Sequence, residues 1–266
     1  MIFVVIFVFG AVLLASVWRW FVLPMRPSLR VLMYHKLHPS RRDALTLTPK
    51  QFEDQLVWLK ETNYRFVRLA EVLATADAPK STLSDGRRAV LLTFDDGFLS
   101  NLTWAYPILV KHQIPAVVFL PTAFLGKSSS WELQNAEAIL TPAQLKIMSP
   151  LLIEFGLHSH QHLNYGKLPT AQIRDDLSAC IHTLQAAQVP FVPVFAYPFG
   201  GRPKTSKKTE ELYGVFRELG IKMAFRIGNR INYWPLADRF QTQRLDIRGT
   251  DSMEDFKQKV RYGKLF

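Results

Sequence analysis

The 266-residue chain carries a single cysteine, Cys180, so no disulfide can close within it. Its compartment stays open on that ground, because many bacterial envelope proteins also lack disulfides. Acid is scarce as well: 22 Asp plus Glu stand against 33 Lys plus Arg, a formal charge of +11. That balance suits an anionic surface, such as a membrane or an acidic polymer. The signatures that would turn the charge toward nucleic acid are missing. There is no zinc-finger spacing, no basic helix with heptads and no aromatic RNA-binding motif, so nucleic acid is not an expected partner. No internal repeat or long low-complexity segment divides the chain, and its length fits one large α/β domain.

Charge is wholly absent from Ile2 to Trp18, and WFVL continues the apolar run after Arg19. About 20 helical residues at 1.5 Å each span a bilayer core, so residues 1–23 are expected to form a single transmembrane anchor. A cleaved signal peptide and a buried soluble helix are the alternatives, but a basic n-region and a convincing A-x-A site are both lacking. Residues 24–29, with Pro24 and Pro27, read as a linker, and residues 30–266 as the folded domain. Arg19, Arg26 and Arg30 all follow the apolar run, which by the positive-inside rule would keep that domain cytoplasmic.

Beyond the linker, strand and helix patterns alternate. RVLMYHKL reads as a buried strand, followed by a helix capped by Thr48 with Pro49 at its first position and Phe52, Leu56 and Leu59 on one face. Residues 65–68 return to strand, and a further helix and strand follow. AVLLTF, AVVFLP, LLIEFGLHS, VFAYPFG and MAFRIG read as strands. WAYPILVKHQ, AQLKIMSP, AQIRDDLSACIHTLQAAQ and KTEELYGVFRELG read as helices between or after them. This order predicts a parallel sheet, closed as a barrel rather than open and doubly wound. In either architecture chemistry gathers at the C-terminal ends of the strands. GGRPKTSKKTE, residues 200–210, reads as a basic loop.

Two motifs fall at such ends. TFDDGFLSN places Asp95 and Asp96 side by side after a strand, which is costly unless a cation or a shared proton relieves the pair. GLHSHQHLN places three of the seven histidines, His158, His160 and His162, within five positions after another strand. A turn presenting His158 and His162 on one side, joined by one of the two carboxylates, would hold a metal with a position left open for water. The other carboxylate would then be free to take that water's proton.

TFDDG and H-S-x-x-H in this order resemble the polysaccharide deacetylase family with the NodB-homology domain, over roughly residues 30–250. The resemblance implies a distorted (β/α) barrel, TIM-like with about seven units, and metal-dependent removal of acetyl groups from sugars. By motif position it implies Asp95 as general base, Asp96, His158 and His162 as metal ligands, and Ser159 as a support of the histidine loop. A His₂Asp set suits Zn²⁺, with Co²⁺, Ni²⁺ and Fe²⁺ as alternatives. YPFG, residues 197–200, resembles the third motif, in which the backbone N–H of Phe199 would help hold the oxyanion. LMYHKL and FEDQLVWLKETNYRFVRLAEVL resemble the exopolysaccharide and membrane-associated branch, and bring His35 to the same mouth. Tyr197, Trp131 and Trp234 are candidates for contacting sugar, the tryptophans as stacking faces. His160, between the two ligands, is expected to point away from the metal.

Two departures from the family pattern bear on mechanism. Ala196 stands where an arginine often steadies the base, so Arg244 in QRLDI, or failing it Arg202, is expected to serve. The leucine-x-x-histidine motif that supplies the general acid is absent, the last histidine being His182. His35, or Asp95 returning its proton, would have to act in its place. The sequence therefore points to a membrane-anchored, metal-dependent deacetylase of N-acetylhexosamine glycans, with its domain outside the membrane by family resemblance. Its rivals are a deacetylase of a lipid-linked sugar and a silent glycan-binding protein that keeps the barrel. Oligomeric state is not legible.

Overall fold

Strands that are apolar on both faces form the centre of the fold, as a parallel barrel wrapped by helices requires. The structure is a computed structural model and describes residues 27–76, 83, 88–132 and 134–263. Its strands in chain order are β1 (Ser28–Tyr34), β2 (Lys36–Leu37), β3 (Thr46–Leu47), β4 (Tyr64–Phe66), β5 (Arg88–Phe94) and β6 (Ala116–Leu120). Then come β7 (Ile153–Leu157), β8 (Val194–Ala196), β9 (Met223–Ile227), β10 (Asn232–Tyr233) and β11 (Thr242–Asp246). The helices are α1 (Pro49–Glu61), α2 (Leu69–Thr75), α3 (Tyr106–His112), α4 (Pro142–Leu145), α5 (Thr170–Ala186), α6 (Ser206–Glu218) and α7 (Met253–Tyr262).

Seven strands close the barrel in the order β1, β11, β9, β8, β7, β6, β5 and back to β1, every pairing parallel. Closure rests on the long β1–β5 register, from Leu29 opposite Ala89 to Tyr34 opposite Phe94. Outside the ring, β4 adds to β5 and β10 pairs antiparallel with the start of β1.

Alternation divides the core in two. Leu29, Val31, Ala89, Leu91, Val117, Phe119, Val194, Met223 and Phe225 pack in the cluster that fills the barrel. Their neighbours Leu32, Val90, Leu92, Val118 and Leu120 belong to the larger cluster between strands and helices.

The expected start of α1 is observed, with Thr48 Oγ1 accepting the Gln51 N–H at 3.1 Å. Four readings need correction. The helix expected over 143–150 is the single turn of α4, set by the Thr141–Gln144 capping box and not continued toward Pro150. The first strand breaks at His35. The strand VFAYPFG stops at Ala196, because Pro198 cannot donate to a ladder and Phe199 turns to φ 57°. Finally, β11 and α7 have no counterpart in the sequence reading. Among the described residues no helix is long and apolar enough to cross a membrane. The expected anchor, residues 1–23, lies outside them.

Candidate active site and metal centre

Asp95 follows β5 at the mouth of the barrel, its N–H bonded to Tyr34 O on β1 at 2.9 Å. The next two residues turn sharply, Asp96 at φ 69° and Gly97 at φ 60°. Gly97 is required twice over, since a β-carbon there would also meet Leu120 Cδ2 at 2.7 Å. The turn gives the adjacent carboxylates different surroundings, though both are buried, at 3% and 4% exposure.

Asp95 is held by Arg244, which is fully buried on β11. Nη1 donates to Oδ1 at 2.6 Å and Nη2 to Oδ2 at 2.7 Å, a two-pronged ion pair. Nη1 also lies 3.4 Å from Thr93 Oγ1, and the guanidinium sits 5.6 Å from the Phe119 ring centre.

Asp96 faces the histidines. Its Oδ1 lies 3.3 Å from His158 Nε2 and 3.0 Å from His162 Nε2. His158 Nδ1 is 2.9 Å from Ala196 O, and a carbonyl can only accept, so Nδ1 carries the proton and Nε2 presents a lone pair. A carbonyl that accepts from the far ring nitrogen in this way commonly orients a metal-ligating imidazole. Asp96 Oδ1 is buried and takes no hydrogen bond, which costs free energy unless something else occupies its lone pairs. One ligand atom each from Asp96, His158 and His162 lies within 4.8 Å of the others. Two imidazole nitrogens and a carboxylate oxygen, buried and convergent, fit a divalent cation with an open position.

The histidine loop is held from below. Asp176 on α5 accepts the N–H groups of His160 and Gln161, both at 2.9 Å, and the Tyr165 hydroxyl at 2.7 Å. Ser159 Oγ accepts the Leu163 N–H at 2.9 Å, the supporting role expected of it. His160 points away, its Nδ1 2.9 Å from Thr122 Oγ1. Asp96, Ser159, His162 and Phe199 all have left-handed backbone, with φ between 54° and 69°. Four such non-glycine residues around one site concentrate strain where function is expected.

The charges follow this geometry. Burial would raise the Asp95 carboxyl, but Arg244 and then His158 outweigh it and hold the group below its ordinary value. Burial acts likewise on Asp96, yet the two imidazoles keep it well below the usual range. Burial depresses His162, whereas for His158 it is outweighed by Asp95 and Asp96, which raise it.

Other expected residues divide. Phe199 lies at the site, its ring 4.6 Å from that of His162. The turn's own bonds are Gly200 N–H to Tyr197 O and Gly201 N–H to Pro198 O, so the Phe199 N–H stands outside them. Trp131 is also present, stacked on His162 at 4.1 Å. His35 directly follows β1 and has a buried Nδ1 without a hydrogen bond. Arg202 does not reach Asp95; its hydrogen bond is to Pro203 O at 3.5 Å.

Tyr197 and Trp234 are corrections. Tyr197 is 1% exposed and its hydroxyl bonds to Phe240 O, so it is part of the wall and cannot meet a sugar. Trp234 is 3% exposed, packs with the cluster inside the barrel and donates Nε1–H to Thr75 O at 2.8 Å.

Two groups went unread in the sequence. Asp176 interrupts the apolar stripe Ile173, Leu177, Cys180, Leu184 of α5, and an acid on that face is the signal. Lys36, 1% exposed, donates to both carboxylate oxygens of Glu132 at 2.8 and 2.9 Å. That pair ties the segment bearing Trp131 to the mouth; a lysine inside an apolar strand was its trace.

Residues 83–224, more than half of the chain, match the family model described as polysaccharide deacetylase. The Bacillus subtilis protein YxkH is 27% identical over 204 residues, 76% of this chain and 67% of that protein. The Staphylococcus aureus poly-beta-1,6-N-acetyl-D-glucosamine N-deacetylase is 28% identical over 191 residues, 68% of this chain and 61% of the enzyme. The match thus spans less than two thirds of that relative. Among solved structures, the Streptococcus pyogenes deacetylase PplD in complex with acetate superposes with a TM-score of 0.72 at 21% identity. That match covers 88% of this chain and 99% of the other. IcaB from Ammonifex degensii gives 0.71 at 24%, covering 88% and 96%. Likeness at this identity speaks for the fold.

Proposed function

The chain belongs to the polysaccharide deacetylase family, hydrolases of carbon–nitrogen amide bonds, and on that premise we propose that it removes N-acetyl groups from N-acetylhexosamine glycans. The observation that carries this reading is the triad of Asp96, His158 and His162 beside an aspartate, Asp95, that Arg244 holds ionised. The poly-N-acetylglucosamine enzyme among the relatives supports the substrate class.

Asp96 Oδ1 and the Nε2 atoms of His158 and His162 would hold a divalent cation, Zn²⁺ by the chemistry of this donor set. Bound there, it would acidify water and polarise the amide carbonyl. Asp95 takes the proton of the attacking water, its Oδ2 lying 3.9 Å from His158 Nε2 and so facing the same space. Arg244 fixes that carboxylate and keeps it charged. The Phe199 N–H donates to the carbonyl oxygen as it gains negative charge. The departing nitrogen receives its proton from Asp95 or from His35, whose unpartnered Nδ1 makes it the available imidazole. The amide C–N bond breaks, giving acetate and a free amine. Trp131 steadies the His162 ring and offers an aromatic surface at the mouth.

Residues 1–23 would anchor the chain in a membrane, residues 24–29 link it, and residues 30–266 act outside the membrane. A reporter fused after Phe266 tests the orientation, and activity of the fusion only in the cytoplasm would reverse it. The activity is tested by acetate release from N-acetylglucosamine oligomers, with and without chelator and added Zn²⁺. Chelator-sensitive release that Asp95→Asn abolishes supports the reading. A tightly bound metal without release would favour a lipid-linked sugar or a silent binding protein.

A further inference from the structure

The end of the barrel opposite the active site carries features that the reaction does not use. It is closed by α2, whose Leu69 and Val72 pack into the cluster inside the barrel, and by Trp234, which follows β10. Trp234 N–H donates to Pro27 O at 3.1 Å, so the chain enters the fold at this end, one residue before β1. Asp95, His158 and Phe199 follow the other ends of β5, β7 and β8.

Across this end the surface is apolar and basic. Ile147 and Leu151, in the segment before β7, are 64% and 73% exposed, and Tyr233, paired with Ser28 at the start of β1, is 45% exposed. Beside the first two a cavity of about 480 Å³ opens among Met148, Pro150, Phe155, Val189 and Phe191. Three exposed cations stand there as well: Arg88 opens β5, Lys146 follows α4 and Lys222 precedes β9. The carboxylates of this end are mostly committed. Glu71 pairs with Arg65, Glu154 accepts the N–H groups of Leu69 and Ala70 at 2.9 and 3.3 Å, and Asp238 accepts the Tyr213 hydroxyl. Glu61, after which β4 begins, is left against the three cations. Apolar side chains standing among cations suit an anionic bilayer, where the first enter the headgroup boundary and the second meet phosphate.

Chain length fixes the distance. Three residues lie between Leu23, the last of the proposed anchor, and Pro27, and the connection spans at most about 14 Å when fully extended. An anchor in the bilayer therefore keeps this end of the barrel at its surface. The seven residues of β5 rise about 23 Å toward Asp95, which sets the mouth on the far side.

We propose that the N-terminal end of the barrel, with Ile147, Leu151 and Tyr233 on its surface, docks on an anionic bilayer and turns the active-site mouth away from it. The inference rests on the reading of residues 1–23 as an anchor and deepens the deacetylase reading. The substrate is then a glycan segment standing off the membrane, not a sugar joined directly to a lipid headgroup.

The test uses the full chain in vesicles of phosphatidylcholine and phosphatidylglycerol, part of the lipid carrying a nitroxide on its headgroup. Cys180 is buried, so a thiol-reactive fluorophore reports on a cysteine introduced by Leu151→Cys, or by Lys127→Cys at an exposed position in the loop that leads to Trp131. The nitroxide is expected to quench the label at 151 severalfold more than the label at 127. That contrast should shrink without phosphatidylglycerol and in the added double variant Ile147→Asp/Tyr233→Asp. Equal quenching at both positions overturns the docking, and stronger quenching at 127 would turn the mouth to the lipid. A contrast that neither change reduces belongs to the tether alone and overturns the surface. Flotation that survives alkaline carbonate reads the anchor separately; a chain that does not float overturns the anchor and this inference with it. Acetate release bears on the deacetylase reading alone, so the two can fail independently.

Discussion

Arg244 grips Asp95 across 149 residues of sequence, each terminal nitrogen of the guanidinium on its own carboxylate oxygen. The pair is buried, so losing one partner strands the other charge in the barrel. Arg244→Gln is expected to destabilise the protein by about 3–5 kcal/mol and to lower kcat/KM roughly 100-fold. Urea unfolding and acetate release check the two effects. Wild-type stability in the variant would mean that the ion pair contributes nothing.

Asp95 and Asp96 should separate cleanly. Asp95→Asn is expected to keep a bound metal while losing most turnover. Asp96→Asn should weaken Zn²⁺ binding by about 10-fold or more, because one of three ligands loses its charge. Metal content after dialysis, read beside acetate release, decides; equal metal loss in both variants would contradict the assigned roles.

Acid should destabilise the metal-free protein through the same groups. Both carboxyls are held below their ordinary value in the folded state, so the unfolded chain binds protons first as the pH falls. Their stabilisation is fully present above the ordinary aspartate value of about 4 and is lost as pH drops through the depressed folded values. The urea midpoint should therefore fall as the pH drops below about 5, and fall less steeply in Asp96→Asn. Parallel profiles for the two proteins would refute the linkage.

The Lys36–Glu132 pair should act on substrate binding through Trp131. Glu132→Gln leaves Lys36 buried with a neutral partner, and is expected to raise KM severalfold with a smaller change in kcat, accompanied by altered tryptophan fluorescence. A kcat loss at constant KM would place the pair in the chemistry instead.

Trp234 tests the opposite assignment. As a core residue whose Nε1–H is satisfied by Thr75 O, it should cost about 3–5 kcal/mol as Trp234→Ala, with KM for glycan oligomers preserved in the protein that remains folded. A KM effect without destabilisation would restore it as a sugar platform.

Features that depend on local pattern were legible in the chain of residues alone. Continuous apolar runs such as AVLLTF required strands buried on both faces, and Thr48-Pro49 set the start of a helix. TFDDG and H-S-x-x-H pointed to His158, His162 and one of two adjacent aspartates as a candidate metal site, and the family resemblance they carry singled out Asp96. Tertiary structure decided what depends on which distant segments meet. Nothing local marks Arg244, since β11 reads as polar: its guanidinium lies inside the barrel against Asp95, a partner no local window contains. Tyr197 and Trp234 went the other way, since an aromatic looks the same in sequence whether it faces a sugar or closes a core. Only closure of the seven-stranded ring shows which face each takes.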